Sequence, residues 1–417
     1  MKKGRTELSE RLVQRARELH EQDAFAPAET GVGTRIGIED VSRALADDRR
    51  SSRKTVVVFA VLLAVVALLS LPLNYYAGGD PSVLTPQQLL DCYTLFFQAN
   101  ILPLFDPTAA ARVEALKLSF GNGNLYDAAM LRVALTGLTI LCGFLLAASG
   151  MLFQSAFRNP LAAPSMLGVS DGVSLGYIIY VFLGFTQIQD TPEVFTLCIY
   201  GCGAATLVLV LLVSRFLSGG KTYNVMDMLL VGTVVAQLVS GIVTYITNFG
   251  IDLETWYKFY ELQQSLDTPS YAVTYIACGI VAVVSLVPVI VLRFRLNLIS
   301  FSDEEGRMLG ARPALLRGVA LACGALMQLA ALASIGQVAM VGLAVPFLCR
   351  FLFAADFRHQ LLGNFLVGST ALLVCQWVAH FVVIDGFAMP VGTVVGVVIM
   401  PFFVWMMALQ RKGWGDD

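Results

Sequence analysis

Five polar side chains recur along one apolar segment, residues 225–248, at steps of four, three, four and four: Thr233, Gln237, Ser240, Thr244 and Asn248. Residues three or four apart share a helix face, so this spacing predicts a single polar stripe. Hydroxyl and amide groups form hydrogen bonds, but nothing in the stripe is a catalytic acid, base or activated nucleophile. In hydrocarbon such groups are disfavoured unless they face water or other helices. The stripe therefore predicts either a wetted seam across a membrane or hydrogen bonding between packed helices, and no catalytic residue.

A second polar segment, residues 293–317, separates two apolar stretches. Asp303, Glu304 and Glu305 begin a helical pattern that ends at Gly310. Acidic residues favour a helix N-terminus and glycine favours a C-terminal stop, so the segment predicts one or two short helices outside the bilayer. Helices in such a position would offer a surface on which a partner protein can push.

The amino-acid composition predicts the helices that carry these polar segments. Hydrophobic residues make up 57% of the 417 residues and charged residues only 14%. The apolar stretches are too long and continuous for barrel strands, which predicts an all-α integral membrane protein, a polytopic bundle of about ten transmembrane helices. The predicted spans are 55–73, 130–153, 166–186, 194–216, 225–248, 270–292, 315–335, 338–355, 361–384 and 388–409.

Basic residues predict the orientation of the bundle. With these spans, 24 of the 28 Lys and Arg residues fall on the side of the two termini. Cytoplasmic loops carry the excess of Lys and Arg, so both termini are predicted to be cytoplasmic, in a multi-pass protein of the bacterial inner membrane. Nucleic-acid binding has no support. Arg132 is among the few basic residues on the opposite side.

Three segments are predicted outside the membrane domain, which spans residues 55–410. Residues 1–54 form a cytoplasmic extension with two amphipathic helices, one from Thr6 and one over 37–50. The extension is predicted to be either a loosely folded solvated tail or a contact with the inner leaflet or a cytoplasmic partner. The outer loop 74–129 is acidic and predicts either a docking surface or a connector. Residues 411–417 form a short cytoplasmic tail.

No metal or nucleotide site is predicted. Most of the eight cysteines lie inside spans, where a thiol behaves as a small apolar residue. Cys198 and Cys202 have helical spacing, but no histidine or carboxylate completes a ligand set. The turn 217–221 reads LSGGK, close to the LSGGQ signature of ABC ATPases, yet no strand or phosphate-binding loop accompanies it.

Residues 158–176 read RNPLAAPSMLGVSDGVSLG, a placement of glycine and proline unusual for a membrane helix. The segment resembles the RNPLA-x-P-x-x-LGVS-x-G segment in permease subunits of bacterial ABC importers for iron-siderophore complexes, haem and cobalamin, the FecCD family. GLAVP at 342–346, PVG at 390–392 and MPFF at 400–403 are similar to further family motifs. The residues that carry the resemblance most directly are Arg158, Asn159, Pro160, Gly168, Gly172, Pro346, Pro390 and Gly392.

The resemblance implies a fold like that of type II ABC importer permeases and several partners. These are a second copy or a paralogous permease, a cytoplasmic ABC ATPase dimer that uses ATP and Mg, an extracytoplasmic substrate-binding protein and membrane lipid. The chain itself would bind no cofactor and would not be an enzyme. Arg132 would meet the binding protein. The residues implied in coupling to the ATPase are Asp303, Glu304, Arg307, Leu309 and Gly310, with Gly306 in place of the family's usual alanine.

Departures from the family pattern leave the cargo open. Phe347 stands where the family usually has histidine, and the Asp-His-Arg turn appears as Asp356-Phe357-Arg358. Residues 376–380 also lack the family's charged pattern. Iron complexes (ferric siderophore or haem) and corrinoids all remain possible cargo classes.

Two other functions compete with an importer. A secondary transporter would need an ionisable residue in mid-membrane, and a membrane scaffold would tolerate leucine in the polar stripe.

Overall fold

The computed structural model describes residues 38–70, 123–185, 191–217, 225–264, 272–300, 303–338, 340–353, 356–381, 383–384 and 387–413. The chain divides into two compact units, residues 1–48 and 49–417. The described part of the first unit, 38–48, is helical. The amphipathic helix predicted from Thr6, the outer loop up to residue 122, the LSGGK turn beyond Leu217 and the last four residues lie outside the described residues.

Helices dominate the described chain. In chain order they are α1 (Ile38–Ser70), α2 (Gly123–Phe157), α3 (Val169–Phe182), α4 (Pro192–Leu217), α5 (Val225–Tyr245), α6 (Leu253–Gln264), α7 (Ala272–Leu296), α8 (Asp303–Met308), α9 (Pro313–Ile335), α10 (Val341–Leu352), α11 (Phe357–Phe381) and α12 (Val391–Gly413).

Short irregular elements join some of these helices. Pro164–Leu167 and Asn297–Ser300 are 3-10 turns, and Ile246–Gly250 is a π-helical turn that extends α5. Two two-residue strands, β1 (Val383–Ile384) and β2 (Phe387–Ala388), pair antiparallel between α11 and α12.

The predicted membrane bundle is confirmed. Six described helical segments are long and apolar enough to cross a bilayer, and four shorter apolar helices accompany them. Each of the ten predicted spans coincides with one of these segments. The long ones are Val133–Phe157, Pro192–Leu217, Met228–Gly250, Val273–Ile299, Pro313–Ile335 and Phe357–Ala379, and the short ones are Lys54–Ser70, Val169–Phe182, Val341–Leu352 and Val391–Trp405.

Two predicted boundaries are wrong. Helix α2 begins at Gly123, so residues 123–129 belong to a helix and not to the outer loop. A single helix, Ile38–Ser70, occupies the positions where a short helix over 37–50 and a separate first span were predicted. For α2, the glycines in the run 120–124 suggested a break, and the helix starts at the second of them. For α1, charged residues near position 50 suggested an interruption, but the helix continues through them because charged side chains do not prevent backbone hydrogen bonding.

Small residues let α2 and its neighbours approach closely at the centre of the bundle. Helix α2 packs against α9, α10 and α11. The Ser149 hydroxyl donates a 2.6 Å hydrogen bond to the Gly324 carbonyl of α9. A Cβ atom added at Gly143 would lie 2.6 Å from the Gly368 carbonyl oxygen of α11. Such backbone contact is typical of helix pairs in membranes, where small residues permit dispersion contacts over a wide area.

Replacing Gly150 with alanine is expected to destabilise the bundle, because the new methyl group would collide with the backbone carbonyl of Gly342 in α10. Backbone atoms cannot rotate away, so the helices must separate, at a cost of about 1–3 kcal/mol. Gly137 in the same helix has nothing within 4 Å of an added Cβ atom, and Gly137→Ala is the matched control. Thermal unfolding of the detergent-solubilised variants, followed by size-exclusion chromatography, measures the difference. Equal melting temperatures for the two variants would contradict this packing.

Candidate functional site

Helix α5 has one face in the core and one face uncovered by the rest of the chain. Met228, Val231, Val235, Val239 and Val243 are buried. The polar stripe lies on the other side. Its members Thr233, Gln237, Thr244 and Asn248 are exposed, and Ser240 is half-buried.

The stripe makes no hydrogen bonds to other helices among the described residues. The Thr233 hydroxyl donates to the Leu230 carbonyl of its own helix at 2.9 Å. Exposed apolar residues flank the stripe on the same helix, including Leu230, Val234 and Leu238. Helix α5 therefore presents adjacent polar and apolar strips outside the core of the single chain.

The C-terminal end of the stripe departs from regular helix geometry. At Ile246 the backbone enters the π-helical turn, which carries Asn248 and ends at Gly250. A π-helix has a different rotation per residue from an α-helix. The angle between Asn248 and Thr244 around the helix axis therefore differs from the one predicted for a regular helix. Asp252 follows, and hydrogen bonds from the Thr255 hydroxyl and nearby backbone amides hold the pKa of its carboxyl group below the usual range.

The RNPLA segment forms a tight turn after α2. The Asn159 side-chain oxygen accepts a 2.9 Å hydrogen bond from the Leu161 amide, and the Asn159 amide donates to the Gln154 carbonyl at 3.2 Å. Arg158 adopts a positive φ of 50° and its Nε donates a 3.1 Å bond to the Ile299 carbonyl. Arg158 thereby ties the end of α2 to the 3-10 turn that precedes α8. Pro160 lies within the same turn.

Gly168 brings the start of α3 against the helix that carries the stripe. Its φ is 71°, a conformation that favours glycine, and an added Cβ atom would lie 3.1 Å from the Ala236 Cα atom of α5. At Gly172 an added Cβ would lie 2.8 Å from the Thr206 Cβ atom of α4. Both glycines therefore permit close contact between helices.

The other family motifs lie at the junctions of α10 and α12. Pro346 is buried inside α10, and the Pro390 carbonyl accepts bonds from the Thr393 and Val394 amides where α12 starts. Gly392 packs against the Gln337 backbone carbonyl. Gly396, in the same helix, has nothing within 4 Å of an added Cβ atom among the described residues.

A partly buried network of glutamine side chains was not predicted from the sequence. The Gln337 Nε2 atom donates to the Ser170 carbonyl at 2.9 Å and to the Ser174 hydroxyl at 3.0 Å. Gln328 Nε2 donates to the Ser170 hydroxyl at 3.0 Å. These bonds attach α9 and the segment after it to the start of α3. Isolated glutamines in apolar stretches were the available signal, but their partners are more than 150 residues distant.

The segment 303–310 folds as predicted. Helix α8 starts at Asp303, and after its last residue the Gly310 amide donates to the Arg307 carbonyl and the Ala311 amide to the Gly306 carbonyl, both at 2.9 Å. Gly310 has a φ of 77°, the left-handed stop that glycine favours. Glu304 and Arg307 are exposed, as are Met308 (85%) and Leu309 (60%). The side chain of Asp303 lies outside the described part.

A group of polar side chains holds the chain on the N-terminal side of this segment. Asn297 donates a 3.2 Å bond to the Asp356 carboxylate and accepts a 2.8 Å bond from the Phe357 amide. Arg358 lies 3.2 Å from the same carboxylate and 4.4 Å above the Phe294 ring. Partial burial raises the pKa of Asp356, but the Arg358 amide, Asn297 and the Arg358 charge outweigh it and hold that pKa below the usual range.

The structure thus brings together some predicted site residues and separates others. Arg158 meets the turn that leads to α8, and Gly168 meets α5, whereas the polar stripe and α8 belong to different parts of the bundle. Phe347 packs its ring against Phe403, with centroids 5.1 Å apart, as part of the core. Arg132 falls within α2, and its side chain lies outside the described part.

Comparison with known proteins agrees with this architecture. The sequence model described as the FecCD transport family matches residues 104–409. The chain is 32% identical over 274 residues to the "Probable iron chelatin transport system permease protein" of Helicobacter pylori (strain ATCC 700392 / 26695), covering 66% of this chain and 80% of the relative.

Two further comparisons extend this likeness. The chain is 30% identical over 318 residues to the hemin transport system permease protein HmuU of Yersinia pestis, covering 73% of this chain and 92% of the relative. A solved structure of a metal-chelate type ABC transporter in an inward-facing conformation superposes with a TM-score of 0.64 at 22% identity, covering 86% of this chain and 99% of that one. The fold is therefore that of an ABC transporter permease, and the chain belongs to the FecCD transport family.

Proposed function

We propose that this chain is the permease subunit of an ATP-driven importer that carries an iron complex (a ferric siderophore or haem) or a corrinoid across the cytoplasmic membrane. The observation that carries the proposal is the family match over residues 104–409, shared with relatives named for transport of iron chelatin and hemin. A vitamin B12 import permease, BtuC of Escherichia coli O9:H4 (strain HS), is 27% identical over 283 residues, which keeps corrinoids among the cargo classes.

The uncovered polar stripe of α5 supports a pathway between two permeases. Exposed groups such as Gln237 and Thr244 are disfavoured against lipid, and they find water or polar cargo if a second copy or a paralogue faces them. The exposed apolar residues beside the stripe, Val234 and Leu238 among them, supply surface for that second subunit. Cargo would then pass along Thr233, Gln237, Ser240, Thr244 and Asn248.

The other proposed partners, an ATPase dimer and a substrate-binding protein, would bind at opposite ends of the bundle. Helix α8, with exposed Met308 and Leu309, offers apolar surface to a cytoplasmic ATPase dimer, which would use ATP and Mg. An extracytoplasmic binding protein would deliver cargo on the opposite side, with Arg132 as a contact. The excess of basic residues beside the termini supports placing both termini in the cytoplasm.

Uptake and ATPase assays together test the proposal. A strain that lacks this gene is supplied with labelled ferric siderophore, haem or cobalamin, and only one cargo class is expected to enter when the chain is restored. The purified chain is expected to show no ATP hydrolysis until it is combined with its ATPase. Hydrolysis by the chain alone, or restored uptake that persists without any ATPase, would refute the importer.

A further inference from the structure

A half-enclosed cavity lies beside the turn that leads to α8. Its volume is about 330 Å3, roughly ten times the space that one water molecule occupies in the liquid. Three helices, α2, α10 and α11, and the 3-10 turn meet there. The lining residues are Met151, Gln154, Ser155, Arg158, Asn297, Arg350, Phe357 and Gln360.

The described lining is positively charged. Arg158 and Arg350 both contribute guanidinium groups, and none of the described lining residues is Asp or Glu. The carboxylate adjacent in sequence to the lining, Asp356, is engaged by Arg358 at 3.2 Å and by the Asn297 amide. In the described structure Arg350 has no ion pair with any acidic residue. The cavity therefore favours an anion, and the guanidinium fork of Arg350 suits the oxygens of a phosphate.

Two uncharged polar side chains border the cavity. Gln154 is fully buried, and its Nε2 atom donates a 3.0 Å bond to the Leu343 carbonyl. Its Oε1 atom is enclosed by protein, so a molecule in the cavity does not contact it. Ser155 adds a hydroxyl to the lining that can donate to or accept from a ligand.

We propose that this cavity binds a phosphate group. Inorganic phosphate and the anionic headgroup of phosphatidylglycerol both supply one. The phosphate oxygens would face Arg350 and Arg158. The ligand would contact Asn297, the first residue of the turn before α8, and Arg158, whose Nε already holds Ile299 in that turn. Occupancy would therefore stabilise the segment 297–310.

Two probes applied to the full-length chain distinguish the sources of the phosphate. Equilibrium dialysis of radiolabelled inorganic phosphate against protein in neutral detergent tests the free ion. Native mass spectrometry of protein released from phosphatidylglycerol or phosphatidylcholine nanodiscs tests the lipid. Binding of inorganic phosphate identifies a soluble ligand, and retention of phosphatidylglycerol over phosphatidylcholine identifies the lipid headgroup.

Variants at Arg350 test the site itself. Arg350→Gln is expected to weaken binding of the active probe about tenfold, the effect of losing one charge-assisted contact. Arg350→Lys keeps the charge but loses the fork, so a smaller loss of roughly threefold is expected, and it serves if the glutamine variant does not fold. The matched control is Arg295→Gln, an exposed arginine that does not line the cavity.

The results that overturn the proposal are equally definite. Failure of both probes to bind the wild-type chain would do so. Equal losses in the Arg350 and Arg295 variants would also do so, because they would show nonspecific attraction to a basic surface. Neither measurement depends on transport, so the site can fail while the importer function stands.

Discussion

Replacing Gln237 and Thr244 together with leucine is expected to reduce uptake of the cargo about thirtyfold. Each substitution removes a polar group that would exchange hydrogen bonds with water or cargo, and two losses of about 1 kcal/mol each give that factor. Both side chains are exposed, with no hydrogen bond to another helix among the described residues. The amount of folded protein in the membrane should therefore remain unchanged. Uptake of the labelled cargo, normalised to protein in the membrane, measures the effect.

The same helix provides a matched control. Val234 and Ile242 are each about half exposed, at 52% and 51%, and lie on the apolar strip beside the stripe. The double variant Val234→Leu and Ile242→Leu also introduces two leucines on the uncovered side of α5, but it removes no polar group. Its uptake should match the wild type. Normal uptake by the Gln237 and Thr244 variant would show that the stripe does not line the pathway.

Cysteine labelling offers a second measure of the same pathway. Thr233, Gln237 and Thr244, changed one at a time to cysteine, should react with a hydrophilic reagent in at least one state of the transport cycle. Protection of all three positions in every state would mean that lipid or protein covers the stripe. That result would contradict the pathway even if the leucine variant lost uptake.

Hydropathy predicted the bundle because a bilayer imposes the same requirement on every span. Backbone hydrogen bonds within α2 or α9 do not depend on which helices lie beside them, so each span can be recognised alone. The stop at Gly310 was predictable for a related reason, because its left-handed conformation is a local property.

Pairwise contacts were beyond the sequence because they join distant residues. The sequence around Gly150 does not indicate that this residue packs against the backbone of Gly342. The sequence around Gln337 does not indicate that its side-chain amide donates to the Ser170 carbonyl. The π-helical turn at Ile246 was also missed, since its residues are compatible with a regular helix. The cavity by Arg350 combines these limits, because its lining comes from four separate segments.

Contacts at the turn before α8 anchor this short exposed helix to the rest of the bundle. A six-residue helix is only marginally stable by itself. The Arg158 bond to Ile299 and the Asn297 bonds to Asp356 and Phe357 anchor the chain on one side of it. Buried Pro313 starts α9 on the other side. Movement of α8 would therefore be transmitted to α2, α9 and α11 and would not be lost in a loose loop.

Replacing residues 307–310 with a Gly-Ser-Gly-Ser linker is accordingly expected to abolish uptake while the assembled complex still hydrolyses ATP. The linker removes exposed Met308 and Leu309, the surface proposed to contact the ATPase, and the left-handed stop at Gly310 that directs the chain into α9. Uptake and ATP hydrolysis in proteoliposomes, measured on the same preparation, separate coupling from catalysis. Gly310→Asn is the control, because asparagine tolerates a positive φ and should preserve uptake. Full uptake with the linker in place would show that residues 307–310 are not required for coupling.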